Sequence, residues 1–161
     1  MTEHTIRLDD SSNDYPNRLR DKGFVEQYPN LYVIGDARLL NRPLLGLLCS
    51  VRCPGRVILR TYDLARALRD ASVPVIGGFH SPMEKECLEL LLRGSQPVAI
   101  CLARSLDRMR IPAIWRAGID AQRVLVVSPF VNIQRRVTAN LAEKRNDLVA
   151  ALAKEIVVLH A

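Results

Sequence analysis

The middle of the chain contains the stretch Val75-Ile76-Gly77-Gly78-Phe79-His80-Ser81-Pro82-Met83-Glu84-Lys85. An apolar run ends there in two glycines, and a Ser-Pro pair then begins a helix. Glycines allow a tight turn and the close approach of a ligand, while the first turn of a helix offers free N–H groups and the positive end of its dipole. The pattern therefore predicts a strand, a phosphate-binding turn and a helix, with the anion against Gly77, Gly78, His80 and Ser81.

The same residues also have a purely structural interpretation. The glycines are compatible with a tight turn that binds nothing, and His80 with a side chain that bonds to the backbone. Ser81 before Pro82 has the pattern of a helix N-cap followed by proline at the first helical position. Glu84 is interpreted as an acidic residue that complements the helix dipole. Because the turn follows a strand, where ligands bind in such folds, the ligand interpretation is favoured.

Apolar strands alternate with helices on both sides of this stretch. The predicted strands are 31–34, 44–49, 73–76, 97–101, 124–127 and 156–159, and the predicted helices are 15–20, 55–71, 83–93, 112–118 and 138–153. The strands are apolar throughout, which is typical of a parallel sheet buried between two helix layers. We therefore expect an α/β fold: a Rossmann-like, doubly wound, mainly parallel sheet with helices on both faces and a short N-terminal extension.

The domain organisation follows from the polar start of the chain. We expect residues 1–30 to form an N-terminal extension that is partly flexible and frayed over residues 1–14. Residues 31–161 are expected to form one Rossmann-like nucleotide- or nucleic-acid-binding domain. The sequence stops directly after a predicted strand, so we expect a shortened form or a segment supplied by another copy.

Composition excludes several classes of protein. The sequence is 48% apolar and 25% charged, as in an ordinary globular domain, and it has neither an apolar run long enough for a membrane span nor a signal core. We therefore expect a cytoplasmic protein without a membrane partner. The four cysteines are Cys49, Cys53, Cys87 and Cys101. Their spacing matches no common zinc pattern, and we expect free thiols, no metal site and no cofactor.

Positive charge is concentrated late in the chain. The net charge is +6, and residues 101–136 contain seven arginines against two aspartates. Arginine presents a planar fork of donors that suits phosphate oxygens. This region indicates either a polyanionic partner or a solvated basic face, and net charge alone does not decide between them.

Further polar residues follow the predicted strands. Ligands of doubly wound sheets bind outside the carboxyl ends of the strands. Ser50 and Arg52 follow one strand, Arg104 a second and Ser128 a third. We expect them to join the glycine turn at one phosphate-binding edge. Trp115 is interpreted either as a platform for a base or, preferably, as an anchor of its helix on the core.

A series of motifs in chain order resembles one known family. They are Tyr15-Pro16-x-x-Leu19 with Leu31-Tyr32-Val33-x-Gly35, Leu48-Cys49-Ser50-Val51-Arg52, Ile76-Gly77-Gly78-Phe79-His80, Ile100-Cys101-Leu102-Ala103-Arg104-Ser105-Leu106-Asp107, Leu125-Val126-Val127-Ser128-Pro129-Phe130, Arg145-Asn146 and Val157-Val158-Leu159-His160-Ala161. Together they resemble the DNA-processing protein A (DprA/Smf) family. That family lies within the Rossmann-like SLOG/LOG nucleotide-binding superfamily, and this chain resembles a divergent, short member.

The resemblance implies a function and adds two residues to the site. Family members bind single-stranded DNA, pass it to a strand-exchange recombinase during natural transformation, and often form dimers. Arg145 and Asn146 lie on a predicted helix and are interpreted either as residues that reach the nucleotide- or phosphate-binding site or as structural capping and pairing residues. By family position the site is favoured for Arg145, and Asn146 is included with it. The chain departs from the family pattern in having Ser50-Val51-Arg52 for Gly-Ser-Arg, Asp147 for the second arginine of Arg-Asn-Arg, and His160 for a glutamate.

Three hypotheses about function remain open at this stage. The first is a binding protein that holds a nucleotide or single-stranded DNA by its phosphates at the strand ends, without catalytic residues. The second is a nucleotide-cleaving hydrolase similar to the LOG phosphoribohydrolases, whose Pro-Gly-Gly-x-Gly-Thr-x-x-Glu motif this sequence lacks. The third is a partner-binding protein with a vestigial site. The missing motif favours binding over catalysis.

Overall fold

A computed structural model describes residues 4–50, 52–131 and 137–160 of the chain. Strands and helices alternate over most of this length. The strands are β1 (Ile6–Leu8), β2 (Leu31–Ile34), β3 (Leu45–Cys49), β4 (Val75–Gly77), β5 (Val98–Cys101), β6 (Val124–Ser128) and β7 (Glu155–His160). The helices are α1 (Asn17–Asp21), α2 (Gly55–Asp70), α3 (Pro82–Leu92), α4 (Ala113–Asp120) and α5 (Ala139–Leu152), and a 3₁₀ helix covers Ala37–Asn41.

The strands of the described residues form one sheet in the order β1-β2-β6-β5-β4-β3-β7. The five strands from β6 to β7 run parallel, with Val75 opposite Val98 and Val98 opposite Val124. Strand β2 runs antiparallel to β6, and β1 antiparallel to β2. The sheet is thus mostly parallel and has an antiparallel edge, and the predicted Rossmann-like α/β fold is confirmed.

Helices cover both faces of this sheet. On one face α5 packs through Leu148 and Leu152, and on the other α2 and α3 pack through Leu68 and Leu91. Strands β4, β5 and β6 are buried along their whole length, as their apolar sequences predict. The prediction of two buried faces is wrong for β7, which leaves Val158 56% exposed because it pairs with β3 alone.

Residues Ile6–Leu8 are more ordered than the polar composition of the segment around them predicts. Ile6–Leu8 forms β1, because the free edge of β2 supplies main-chain partners and Leu8 is buried in the core. The expectation of fraying is therefore wrong for these three residues. Further on, the Tyr15 hydroxyl donates to the Tyr28 carbonyl at 2.7 Å, with the Tyr15 ring fully buried.

Two basic side chains of the same segment close the end of α5. Arg18 Nη1 donates to the Leu152 carbonyl at 2.7 Å, and Lys22 Nζ donates to the Ala151 carbonyl at 3.1 Å. Cations at a helix C-terminus satisfy orphan carbonyls and complement the dipole. The segment before residue 30 therefore stabilises the helix that carries Arg145.

The helix starts agree with the sequence. The Ser81 hydroxyl accepts from the Glu84 N–H at 3.3 Å at the start of α3, with Pro82 at the first helical position. The Thr138 hydroxyl accepts from the Leu141 N–H at 3.2 Å at the start of α5.

Within the described residues no helix combines the length and the apolar character that a membrane crossing requires.

We expect Gly35→Ala to destabilise the fold. Gly35 has φ +113°, and a Cβ there would lie 2.7 Å from the Val124 carbonyl oxygen, so both the backbone and the space exclude a side chain. The free energy of unfolding, measured by urea titration, should fall by about 2 kcal/mol or more. Gly55→Ala is the control, because a Cβ at Gly55 meets nothing within 4 Å. Equal stability of the two variants would contradict this account of Gly35.

Candidate anion-binding site

A cavity of about 390 Å³ opens at the carboxyl ends of β4 and β5. Four of the residues predicted for the site line it, namely Gly78, His80, Arg104 and Arg145. Strands β4 and β5 are adjacent and parallel, so their carboxyl ends bring the two loops together. The sheet edge that the sequence singles out therefore contains a crevice, and four of the ten predicted site residues line it.

Arg145 is the most unusual residue of this cavity. It is only 5% exposed, and its Nε donates to the Asn146 Oδ1 at 2.7 Å. None of the ion pairs found within the described ranges involves Arg145. Burying a charge is expensive unless the charge is paired. A guanidinium that lies against a cavity without a carboxylate partner is therefore suited to an incoming anion.

Gly78 makes room for this guanidinium. A Cβ added at Gly78 would overlap the Cζ, Nη1 and Nε atoms of Arg145. Gly77 has a different role, since a Cβ there would lie 3.1 Å from the Leu47 carbonyl and 3.2 Å from the Phe79 ring. The first glycine therefore allows strand and ring packing, and the second allows the arginine to lie on the turn.

The main-chain amides of the turn already have an internal partner. The Glu84 carboxylate, 5% exposed, accepts from the Cys49 N–H at 2.7 Å and from the His80 N–H at 3.2 Å. The Glu84 N–H in turn is bound by the Ser81 hydroxyl. The sequence predicts that these groups hold a phosphate, whereas in the structure a carboxylate occupies them. These amides therefore have internal partners, and the cationic side chains that line the cavity are the groups left to meet an anion.

The other two serines predicted for the site also shape the backbone. The Ser128 hydroxyl, fully buried, donates to the Arg104 carbonyl at 2.6 Å and accepts from the Phe130 N–H at 3.1 Å. The Ser50 hydroxyl donates to the Arg52 carbonyl at 2.9 Å, and the Ser50 N–H donates to the His160 carbonyl. Both hydroxyls hold loops at the carboxyl ends of strands.

The arginine-rich stretch does not form one surface. Arg104 follows β5 and lines the cavity, where its Nε donates to the Ser105 carbonyl. Arg123 precedes β6 and therefore lies at the opposite edge of the parallel sheet. There its Nη atoms donate to the Leu91 and Leu92 carbonyls at 3.0 Å, and burial lowers its pKa. Arg135 and Arg136 lie outside the described residues.

Arg52 is exposed in the loop between β3 and α2 and is not among the residues that line the cavity. Because β3 and β5 flank β4, Arg52 and Arg104 follow strands two spacings apart, about 10 Å. They mark the same rim of the sheet on either side of the glycine turn.

Sequence reasoning missed Lys85, which lines the cavity from the first turns of α3. A lysine so near a helix N-terminus opposes the dipole, and this unfavourable placement is the signal that was available. It also missed the bridge made by Glu84, which joins residues 35 positions apart and leaves no local signal.

A second cavity nearby has a different character. It has a volume of about 370 Å³ and is lined by Thr5, Tyr32, Ser105, Leu106, Asp107, Phe130 and Val131. No cation is among these residues, so it does not suit an anion. Over the described parts of the chain, no three His, Cys, Asp or Glu side chains are arranged to hold a metal ion.

The cysteines are free in the structure, and three of them are buried. Burial, followed by a hydrogen bond with Cys53, raises the pKa of Cys49 to about 11. Burial also raises the pKa of Cys87 to about 12 and that of Cys101 to about 12. At neutral pH these three thiols are protonated and shielded.

A mostly parallel α/β sheet with helices on both faces and a crevice outside its parallel strand ends defines a protein with a Rossmann-like fold. The chain belongs to the DNA recombination-mediator protein A family, whose model matches residues 6–161.

Two solved structures have the same fold. DNA processing protein A from Streptococcus pneumoniae superposes with a TM-score of 0.74 at 16% identity, over 95% of this chain and 53% of that one. The protein of the same name from Helicobacter pylori, described for its single-stranded DNA binding mode, superposes with a TM-score of 0.69 at 21% identity, over 97% of this chain and 69% of that one. The chain thus spans about half the length of the pneumococcal structure. No curated protein matches it significantly in sequence.

We expect Glu84→Gln to destabilise the protein. A glutamine places an NH₂ group against one of two main-chain donors, so that a buried N–H loses its acceptor. The free energy of unfolding should fall by about 1–3 kcal/mol. Glu89→Gln is the matched control, because Glu89 is exposed on the same helix. An equally large fall in the free energy of unfolding of Glu89→Gln would show that the hydrogen bonds of Glu84 make no specific contribution to stability.

We also expect the thiols to differ in reactivity. Because the thiolate is the nucleophile, iodoacetamide at about pH 8 should label half-buried Cys53 before the other three. Mass spectrometry of the intact protein and its peptides gives the order, and labelling in denaturant should modify all four. Labelling of Cys101 as fast as Cys53 would contradict the buried environment.

Proposed function

We propose that this chain binds single-stranded DNA, holding phosphates of the strand at the carboxyl ends of β3, β4 and β5. The observation that carries the proposal is the buried Arg145 guanidinium, which lines the cavity and has no carboxylate partner among the described residues. Family membership and the Helicobacter pylori relative described for single-stranded DNA binding support the polymer as the ligand.

The residues of the site divide into two groups. Arg145 and Arg104 contact phosphate in the cavity, with His80 and Lys85 at its exposed rim and Arg52 extending the rim towards β3. Gly77, Gly78, Ser50, Ser81, Ser128 and Asn146 shape the loops or orient these side chains. Arginine forks suit phosphate oxygens, and a row of cations suits the repeating charge of a strand.

The structure gives the hydrolase hypothesis no support. Glu84 is the buried carboxylate nearest the turn, and both of its oxygens already accept main-chain hydrogen bonds. A general acid or base must reach the proton that it transfers. Glu84 is held as a positioning residue, so binding is the better supported function.

The wider role follows from the family alone. We infer that the protein acts in DNA processing, with a strand-exchange recombinase as its partner and a homodimer as its working form. These parts of the proposal extend beyond the residues of the cavity, and co-purification with a recombinase and sedimentation of the protein test them separately.

The binding test uses a labelled oligothymidine of about 20 nucleotides and fluorescence anisotropy at about 50 and 200 mM salt. We expect binding that weakens steeply with salt. Gly78→Ala displaces the Arg145 guanidinium and should weaken binding about tenfold or more, because hydrogen bonds to charged groups contribute ~1.5–3 kcal/mol. Arg104→Ala should weaken binding and lower the salt slope by about 0.7.

Two controls separate the site from general effects. Gly55→Ala matches the glycine change at an open position, and Arg93→Ala removes an exposed arginine at the far end of α3. Both should bind like the unaltered protein. If the protein does not bind the oligonucleotide at the lower salt concentration, the proposed function is wrong. If it binds, but Gly78→Ala and Arg104→Ala leave the affinity unchanged, the proposed site is wrong.

A further inference from the structure

Three of the four cysteines belong to one apolar cluster, which α2 and α3 form with the sheet. Cys49 ends β3 and is 7% exposed, Cys87 lies on α3 and is fully buried, and half-buried Cys53 packs against the same cluster. Cys101 belongs instead to the cluster that α5 forms with the sheet. The proposed DNA-binding site uses none of these thiols.

The side chains of Cys49 and Cys53 meet across a short loop. Their thiols share a hydrogen bond, although three residues separate them in sequence. Within the loop the Ser50 hydroxyl donates to the Arg52 carbonyl at 2.9 Å, which folds the chain back and brings the two ends of the loop together. Two sulfur atoms already in contact need little backbone movement to form a covalent bond.

The backbone on each side of the loop holds this contact in place. The Cys49 N–H donates to the buried Glu84 carboxylate at 2.7 Å. Cys53 precedes Pro54, and a proline restricts the backbone of the residue before it. The Pro54 carbonyl then accepts the first main-chain hydrogen bonds of α2. One cysteine is therefore anchored to the sheet and the other to the start of a helix.

The two thiols differ in their access to solvent. Cys53 is half-buried and lies between exposed Arg52 and exposed Pro54. Cys49 is shielded, and burial, followed by the hydrogen bond with Cys53, raises its pKa to about 11. An oxidant from solvent therefore meets Cys53 first, while Cys49 is placed to react with the product. Reversible redox sites combine an accessible cysteine with a neighbouring resolving cysteine in this way.

We propose that Cys49 and Cys53 form a site of reversible oxidation, at which a hydroperoxide converts the two thiols into a disulfide. The inference goes beyond the proposed function and does not depend on it. The resulting ring encloses Arg52, which the proposed function places on the rim of the DNA site.

The reaction has two steps. The Cys53 thiolate attacks a peroxide oxygen and becomes a sulfenic acid, and the rest of the peroxide takes up a proton and leaves as an alcohol, or as water from hydrogen peroxide. The Cys49 sulfur then bonds to the Cys53 sulfur, and the sulfenic oxygen leaves as water with the Cys49 proton. The two cysteines together lose two electrons and two protons, and the peroxide accepts them.

The sequence makes the experiment specific, because trypsin places each cysteine in a different peptide. These peptides are 39–52, 53–56, 86–93 and 94–104. The native protein is treated with hydrogen peroxide, the remaining thiols are blocked with iodoacetamide, and the unreduced digest is analysed by mass spectrometry. We expect peptides 39–52 and 53–56 to be joined, with the loss of two hydrogen atoms, and to separate on addition of dithiothreitol.

Two variants test the roles of the residues. Cys53→Ser should leave the three remaining thiols free under the same treatment, with an unchanged circular dichroism spectrum. Ser50→Ala keeps both thiols but removes the hydrogen bond inside the loop, so the disulfide should form about twofold to tenfold more slowly. Ser95→Ala is the matched control, because Ser95 is exposed in a different loop, and it should oxidise at the rate of the unaltered protein.

Three results would overturn the proposal. They are a disulfide between Cys53 and Cys87, oxidation of Cys53 to a sulfinic acid without any disulfide, and recovery of all four thiols unmodified after peroxide treatment. Equal rates for Ser50→Ala and Ser95→Ala would contradict the part assigned to the loop. Because no nucleic acid enters the measurement, each of these results leaves the proposed DNA binding as it stands.

Discussion

The carboxylate of Glu84 fixes the edge of the sheet on which the site depends. It binds the main chain at the end of β3 through Cys49 and at the turn after β4 through His80, so two neighbouring loops share one buried acceptor. The turn is therefore held in place before any ligand arrives, which is the condition for a preorganised site. The same bonds occupy amides that the sequence predicts as phosphate donors, so the proposed site depends on the cations at this edge.

Arg145 depends on a chain of packing that begins far away in the sequence. Its helix, α5, is packed on the sheet through Leu148 and Leu152, and its C-terminal carbonyls are bound by Arg18 and Lys22. The segment before residue 30 thus supports a charge that is costly to bury. An extension that composition describes as polar and flexible contributes to the geometry of the site through this helix.

The sequence predicts the features that have local causes. Apolar runs predicted the parallel strands, and the Ser81-Pro82 pair predicted the start of α3. Strand β1 escaped prediction because its stability comes from the free edge of β2. The bridge from Glu84 escaped because its partner at Cys49 is distant in sequence, while Arg145 was found through family resemblance and not through periodicity. The basic stretch does not form one cationic surface, because Arg104 follows a parallel strand and Arg123 precedes one, so that the two lie at opposite edges of the sheet.

The layers of the fold explain why charge and apolar surface meet at one crevice. Arg145 comes from α5 on one face of the sheet, whereas the apolar lining of the cavity comes from α3 and α4 on the other face. At the carboxyl ends of β4 and β5 no strand separates the layers, so one ligand can contact both. The exposed cations of the rim are screened by salt, but the buried guanidinium is not screened to the same degree. In the proposed binding mode the rim attracts the strand and Arg145 positions it, so the two effects respond differently to ionic strength.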